Sequence, residues 1–103
     1  MIKRCPQHGL FRGEHCECGS AGQLLLDDAK TEQLGRLVAG CLRHFPGDLG
    51  LVMDSRGWVD LSKLAAVVAS RHRWAGKDMI VALVASDSKK RYEIAGDRVR
   101  ARY

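Results

Sequence analysis

Three of the four cysteines fall within the first 18 residues, and such crowding is the signature of metal chemistry. Cys5-Pro-Gln-His8 and Cys16-Glu-Cys18 are two close donor pairs, separated by a loop that contains Gly9 and Gly13. Zn²⁺ takes four sulfur or nitrogen donors at the corners of a tetrahedron. The gap between Cys5 and His8 lets both reach one ion, and a tight turn ending at Gly19 lets Cys16 and Cys18 supply the other corners. The Cys-x-Cys half is narrower than the commoner Cys-x₂-Cys, but a single spacer still allows both sulfurs to face one ion. Within this reading His15 is a rival to His8, and Cys41 could complete an all-cysteine site. Free thiols or a disulfide are the metal-free alternative; in an intracellular chain this spacing favours metal. Four donors leave no open coordination position, so the expected role is structural.

Arg43-His44 is the second pair with chemical potential. A planar guanidinium beside a titratable imidazole suits the gripping of a phosphate ester and the stabilisation of charge as it transfers. The plainer reading is a pair of cations complementing the negative end of a helix. Further positive charge collects in Arg71-His72-Arg73, in Lys89-Lys90-Arg91, and at Arg98, Arg100 and Arg102. Such runs either contact nucleic-acid backbone or form a solvated face.

These groups must be held by elements that the hydrophobic pattern defines. Leu34, Leu37, Val38, Cys41, Leu42 and Phe45 repeat at helical spacing, predicting an amphipathic helix over residues 31–45 with Asp27 or Asp28 as amino-terminal cap and Pro46-Gly47 as its stop. Leu49 to Met53 reads as extended, Asp54-Ser55-Arg56-Gly57 as a turn, and Trp58-Val59-Asp60 as a short strand. Asp60 then caps a second helix over residues 61–71, with Leu61, Leu64, Ala65 and Val68 on one face. A third helix follows over residues 77–86. Beyond it the period changes from 3.6 to 2, and Tyr92 with Ile94, then Val99 with Ala101 and Tyr103, predict a hairpin turning at Ala95-Gly96-Asp97. Helix, short strand, helix, helix, strand, strand is the order of a winged-helix domain. The expected fold is therefore α+β: a zinc knuckle over residues 1–22 followed by a winged-helix unit over residues 23–103.

Length and charge narrow the function classes. The 103 residues carry 17 Lys and Arg against 12 Asp and Glu, a net charge of +5. One modest core fits this length, and a multilobed enzyme does not. No apolar run reaches the roughly 18 residues of a membrane span, and the amino terminus lacks an apolar signal core. The chain is expected to be soluble, cytoplasmic and monomeric. Its basic excess points to polyanionic partners. A winged-helix DNA-binding regulator is one reading, but the third helix between Lys77 and Ala85 offers only Lys77 and Asp78 as polar groups, which suits burial better than the reading of base edges. A protein-interaction scaffold is another.

One ordered string carries a family resemblance: Leu42-Arg43-His44-Phe45-Pro46, Leu49-Gly50-Leu51, Asp54, Gly57-Trp58-Val59-Asp60, Ser88-Lys89-Lys90-Arg91-Tyr92 and Val99-Arg100-Ala101. Together these resemble the NAD-dependent RNA 2′-phosphotransferase family over about residues 34–103, with Tyr92 standing where many members have Phe. The knuckle resembles an extension found in some archaeal members. The resemblance implies an amino-terminal winged-helix lobe of a longer enzyme whose second lobe, similar to ADP-ribosyltransferases, holds NAD. The implied reaction, part of RNA processing such as tRNA splicing, moves an RNA 2′-phosphate onto NAD and yields nicotinamide and ADP-ribose cyclic phosphate. By motif matching, Arg43, His44 and Arg91 would be active-site residues, with a further arginine from the second lobe. Lys89, Lys90 and Arg100 would contact RNA, and this chain alone should lack turnover.

Overall fold

A computed structural model describes residues 1–44 and 50–102, with the His44 side chain outside that description. Among the described residues the order is β1 (Ile2–Cys5), β2 (Gly9–Arg12), β3 (Gln23–Leu26), α1 (Asp28–Ala39), a π-helical turn (Gly40–His44), β4 (Val59–Asp60), α2 (Leu61–Arg71), α3 (Lys77–Ala85), β5 (Tyr92–Ala95) and β6 (Arg98–Ala101). The protein is α+β, with helices and two small antiparallel sheets ordered β2-β1-β3 and β4-β6-β5 sharing one buried core.

The amino-terminal sheet adds order where the sequence suggests only a knuckle and loop. Its strands are four residues each, and β1 buries only Ile2 and Cys5 while Lys3 is half-buried and Arg4 exposed. So short and mixed a segment carries no legible alternation. Ile2 pairs with both Arg12 and Leu26, and both Ile2 and Leu26 are buried in the same cluster as Leu34, Val38, Leu64, Ile80 and Val99. The strand beginning at Gln23 thus shares a sheet with the knuckle hairpin and a core with the helices.

The first helix begins earlier than residue 31, because the Asp27 carboxylate accepts the Lys30 amide at 2.8 Å and satisfies a donor that would otherwise be orphaned. Its α-helical geometry ends at Ala39, and the chain widens into the π turn while keeping Cys41 and Leu42 in the core. Arg43 and His44 therefore belong to a π turn and not to an α-helical end; such turns change the direction in which successive side chains leave the axis. The expected stop at Pro46-Gly47, the extended start at Leu49, and Tyr103 lie outside the described residues.

The remainder follows the hydrophobic pattern. Asp60 caps α2 by accepting the Lys63 amide at 3.0 Å, and Leu61, Leu64, Ala65 and Val68 are its buried face. Ser86 caps α3, its hydroxyl donating to the Ala82 carbonyl at 2.6 Å. In the terminal hairpin Tyr92 faces Ala101 and Ile94 faces Val99, with Gly96 at φ +59° in the turn. Val99 and Ala101 point inward and Arg98 points out.

Candidate phosphate site and metal cluster

At the knuckle, the structure brings Cys5, His8, Cys16 and Cys18 together, with all four donor atoms within 4.8 Å of one another. The tight Cys5-Pro6-Gln7-His8 turn closes the β1–β2 hairpin, and Cys16 is held by its amide donating to the Ser20 carbonyl and its carbonyl accepting the Gly19 amide, at 2.8 Å each. Cys5 Sγ lies 3.6 Å from His8 Nδ1 and 3.6 Å from Cys18 Sγ, and Cys16 Sγ lies 3.6 Å from the same His8 nitrogen. Zinc bonds of about 2.3 Å to sulfur and about 2.0 Å to nitrogen give tetrahedral edges of about 3.8 Å and 3.5 Å. The donors fit that figure, whereas a disulfide needs about 2.05 Å. The Cys5 thiol is lowered from 9.0 to about 6, first by a hydrogen bond from the Gln7 backbone, which favours the thiolate a metal requires. His15 is not among the clustered donors, and Cys41 is buried in the core, where burial raises its pKa.

A second concentration of polar groups lies where α1, the π turn, the end of α3 and the start of β5 meet. Arg12, Arg36, Arg43, Asp87, Arg91 and Tyr92 line a cavity of about 350 Å³ there, together with Glu32. Four guanidinium groups against two carboxylates leave the lining two positive charges in excess. The Arg43 guanidinium lies over the Tyr92 ring, 5.6 Å from its centroid. Tyr92 is buried, which raises its pKa and keeps the phenol neutral as an apolar floor.

Arg91 is held from behind by Asp87. One carboxylate oxygen of Asp87 accepts both the backbone amide and Nε of Arg91 at 3.1 Å, and the other accepts the Lys89 amide at 3.1 Å and an Arg91 terminal nitrogen at 3.4 Å. The Asp87 side chain is only 3% exposed. Burial alone would raise its pKa, but the Arg91 side chain and these amides together hold it below the usual value. The same pairing raises Arg91, which is half exposed and remains charged.

The structure thus brings Arg43 and Arg91 to one cavity, while His44 contributes only backbone to the described residues. Lys89 and Lys90 flank this region, lining a neighbouring depression with Arg91 and Arg102. Arg100 sits apart: it pairs with Glu93, its guanidinium lies 4.5 Å from the centroid of Trp58, and it lines a different cavity that Arg102 also borders. Asp87 and Arg12 line this cavity but escape sequence reasoning, as do Glu32 and Arg36. Asp87 reads as one polar residue of the turn Ser86-Asp87-Ser88, and Arg12 as an ordinary basic residue of the knuckle loop; neither carries a local signal of burial.

Comparison with known proteins gives this cavity its context. The sequence pattern of the family described as RNA 2′-phosphotransferase, Tpt1 / KptA family, matches residues 29–103. This chain belongs to that family. It is 54% identical over 102 residues to the relative named Probable RNA 2′-phosphotransferase 1 of Archaeoglobus fulgidus, covering 99% of this chain and 47% of that one. Against Probable RNA 2′-phosphotransferase of Methanosarcina mazei it is 48% identical over 104 residues, covering 100% of this chain and 50% of the relative. The chain spans about half the length of these curated relatives. Arg43, Asp87 and Arg91 fall inside the residues matched to the family, whereas Arg12 and the four clustered donors precede them.

Proposed function

We propose that this chain is the phosphate- and RNA-recognition lobe of an NAD-dependent RNA 2′-phosphotransferase, acting within a longer protein whose other half holds NAD. The observation that carries this reading is the convergence of Arg43 and Arg91, far apart in sequence, on a cavity with two excess positive charges. A phosphate monoester carries about −1.5 to −2 near neutrality, so that excess matches one 2′-phosphate.

In the proposed reaction a phosphate oxygen attacks the nicotinamide ribose of NAD and nicotinamide leaves. The adjacent ribose hydroxyl then attacks phosphorus, and its proton goes to the departing RNA 2′-oxygen, giving 2′-hydroxyl RNA and ADP-ribose cyclic phosphate. Arg43 and Arg91 hold the phosphate oxygens and offset the charge that builds on them. His44 relays the proton of the second step, a role open to an imidazole because its two ring nitrogens can accept and donate. Lys89 and Lys90 take the RNA backbone beside the reacting phosphate, with Arg100 further along it. Cys5, His8, Cys16 and Cys18 hold a structural Zn²⁺, which supplies cross-linking of the knuckle to β1 and no chemistry at the cavity.

The element order around α2 and α3, with β4 pairing to the β5–β6 hairpin, supports a winged-helix reading of the second unit. In that arrangement α3 serves packing: Ile80, Ala82 and Leu83 are buried, Lys77 and Asp78 are exposed, and Val81 is its large exposed hydrophobic. We assign the protein to the cytoplasm, in RNA processing such as tRNA splicing.

The test is turnover of the full-length protein on a 2′-phosphorylated RNA, followed as nicotinamide release. Arg43→Ala and Arg91→Ala are each expected to lower it by about a hundredfold or more, with the fold intact by circular dichroism. Wild-type rates in both variants would sink the assignment.

A further inference from the structure

Arg12 ends β2 and lies outside the residues matched to the family, yet it borders the phosphate cavity. Its guanidinium crosses to the end of α3, where Nε donates to Ser86 Oγ at 3.1 Å and a terminal nitrogen donates to the Leu83 carbonyl at 2.9 Å. Leu83 is in the last turn of its helix; the Asp87 amide goes to the Val84 carbonyl, so the Leu83 carbonyl lacks its i+4 backbone donor and has a long contact of 3.4 Å from the Ser86 hydroxyl. Arg12 supplies that donor from another element. Ser86 is the cap of the same helix, and the next residue is Asp87, the carboxylate that grips Arg91. Burial lowers the Arg12 pKa, and the negative charge of Asp87 opposes that shift across the cavity wall. The two points held by Arg12 therefore lie four residues and one residue before Asp87, which orients Arg91.

We propose that Arg12 is a positioning residue of the phosphate site: it anchors the end of α3 so that Asp87 presents the Arg91 guanidinium to the cavity. The amino-terminal hairpin is then part of the phosphate grip and not only an appended knuckle. This rests on the reading in which Arg91 holds the 2′-phosphate. A lysine at position 12 keeps the charge but lacks the planar fork that meets both acceptors at once.

The experiment measures Kd of the full-length protein, without NAD, for an RNA oligonucleotide carrying one internal 2′-phosphate and for its 2′-hydroxyl counterpart. The proteins are wild type, Arg12→Met, Arg12→Lys, Arg91→Met and the Arg12→Lys/Arg91→Met double variant. Arg12→Met is expected to weaken binding of the 2′-phosphorylated RNA by about tenfold, in line with loss of a charge-assisted contact, and to leave the 2′-hydroxyl RNA unaffected. Arg12→Lys should recover little of that loss. In the Arg91→Met background the Arg12→Lys substitution, which keeps the charge beside the cavity, should add no further loss, because the positioning role acts through Arg91. The Arg91 Nε–H resonance, expected to be sharp in wild type, should broaden by exchange in Arg12→Met, and this readout remains with Arg12→Lys if the methionine variant does not fold. Losses that multiply in the double variant overturn the positioning role. Wild-type affinity in Arg12→Met with weakened Arg91→Met refutes this inference alone, whereas wild-type affinity in Arg91→Met refutes the phosphate reading and the inference with it.

Discussion

Replacing Asp87 with asparagine tests whether a buried carboxylate organises the phosphate site. The two side chains are nearly isosteric, but an amide offers one acceptor oxygen where the carboxylate offers two. One Asp87 oxygen accepts the Lys89 amide and an Arg91 terminal nitrogen, and the other accepts the Arg91 backbone amide and Nε. Asparagine can serve the first pair; its NH₂ then confronts two further donors. Two hydrogen bonds are lost at roughly 1–1.5 kcal/mol each, taking the low end because Arg91 is half exposed, so Asp87→Asn should lower unfolding stability by about 2–3 kcal/mol. Urea unfolding of the chain at pH 7 measures this directly, as a lower midpoint at unchanged slope. The sign of the pH dependence follows from the depressed folded-state pKa of Asp87. Its contribution is present above the unfolded value of 3.8 and is lost as pH falls through the lower folded value, so the gap between wild type and Asp87→Asn should close in acid. A variant within about 0.5 kcal/mol of wild type at pH 7 would refute the reasoning, since surface substitutions that break no network behave that way.

Two further outcomes are expected. The purified protein should carry one equivalent of zinc, and removing it with a chelator should lower apparent stability by more than about 2 kcal/mol, because metal bound to the folded state alone stabilises it by mass action; less than about a tenth of an equivalent of any transition metal, before chelation, would defeat the zinc assignment. Gly22→Ala should destabilise by about 1–3 kcal/mol, because an added Cβ would lie 2.8 Å from a Phe11 ring carbon and 2.9 Å from the Arg4 carbonyl oxygen, at a backbone φ of +66° that alanine adopts poorly; thermal unfolding unchanged from wild type would contradict it.

Legibility differed among the elements for identifiable reasons. The second and third helices and the terminal hairpin could be read because each carries a strong period, a capping side chain or a turn glycine within a few residues of itself. The start of α1 was legible only as a choice between Asp27 and Asp28, and the geometry selects Asp27. The π turn at Gly40–His44 was not legible, since the apolar spacing of Cys41 and Leu42 suits a continuing α-helix equally well. The amino-terminal sheet was hidden by strands too short to show alternation. The string through Arg43, His44 and Arg91 made the family resemblance visible, and the family match over residues 29–103 agrees with it.

Local chemistry in the sequence was enough to nominate Cys5, His8, Cys16 and Cys18, because the four donors lie within one short stretch, but His15 in that same stretch and Cys41 stayed as rivals until the folded geometry left them out of the cluster. It was also enough to mark Arg43 and Arg91 through their neighbours. What it did not contain was the convergence of β2 with the end of α3. Arg12 and Asp87 are set near Arg91 by the packing of the amino-terminal sheet on the helical core, through Ile2 and Leu26. Burial and long-range pairing depend on which faces meet, and only the folded chain decides that.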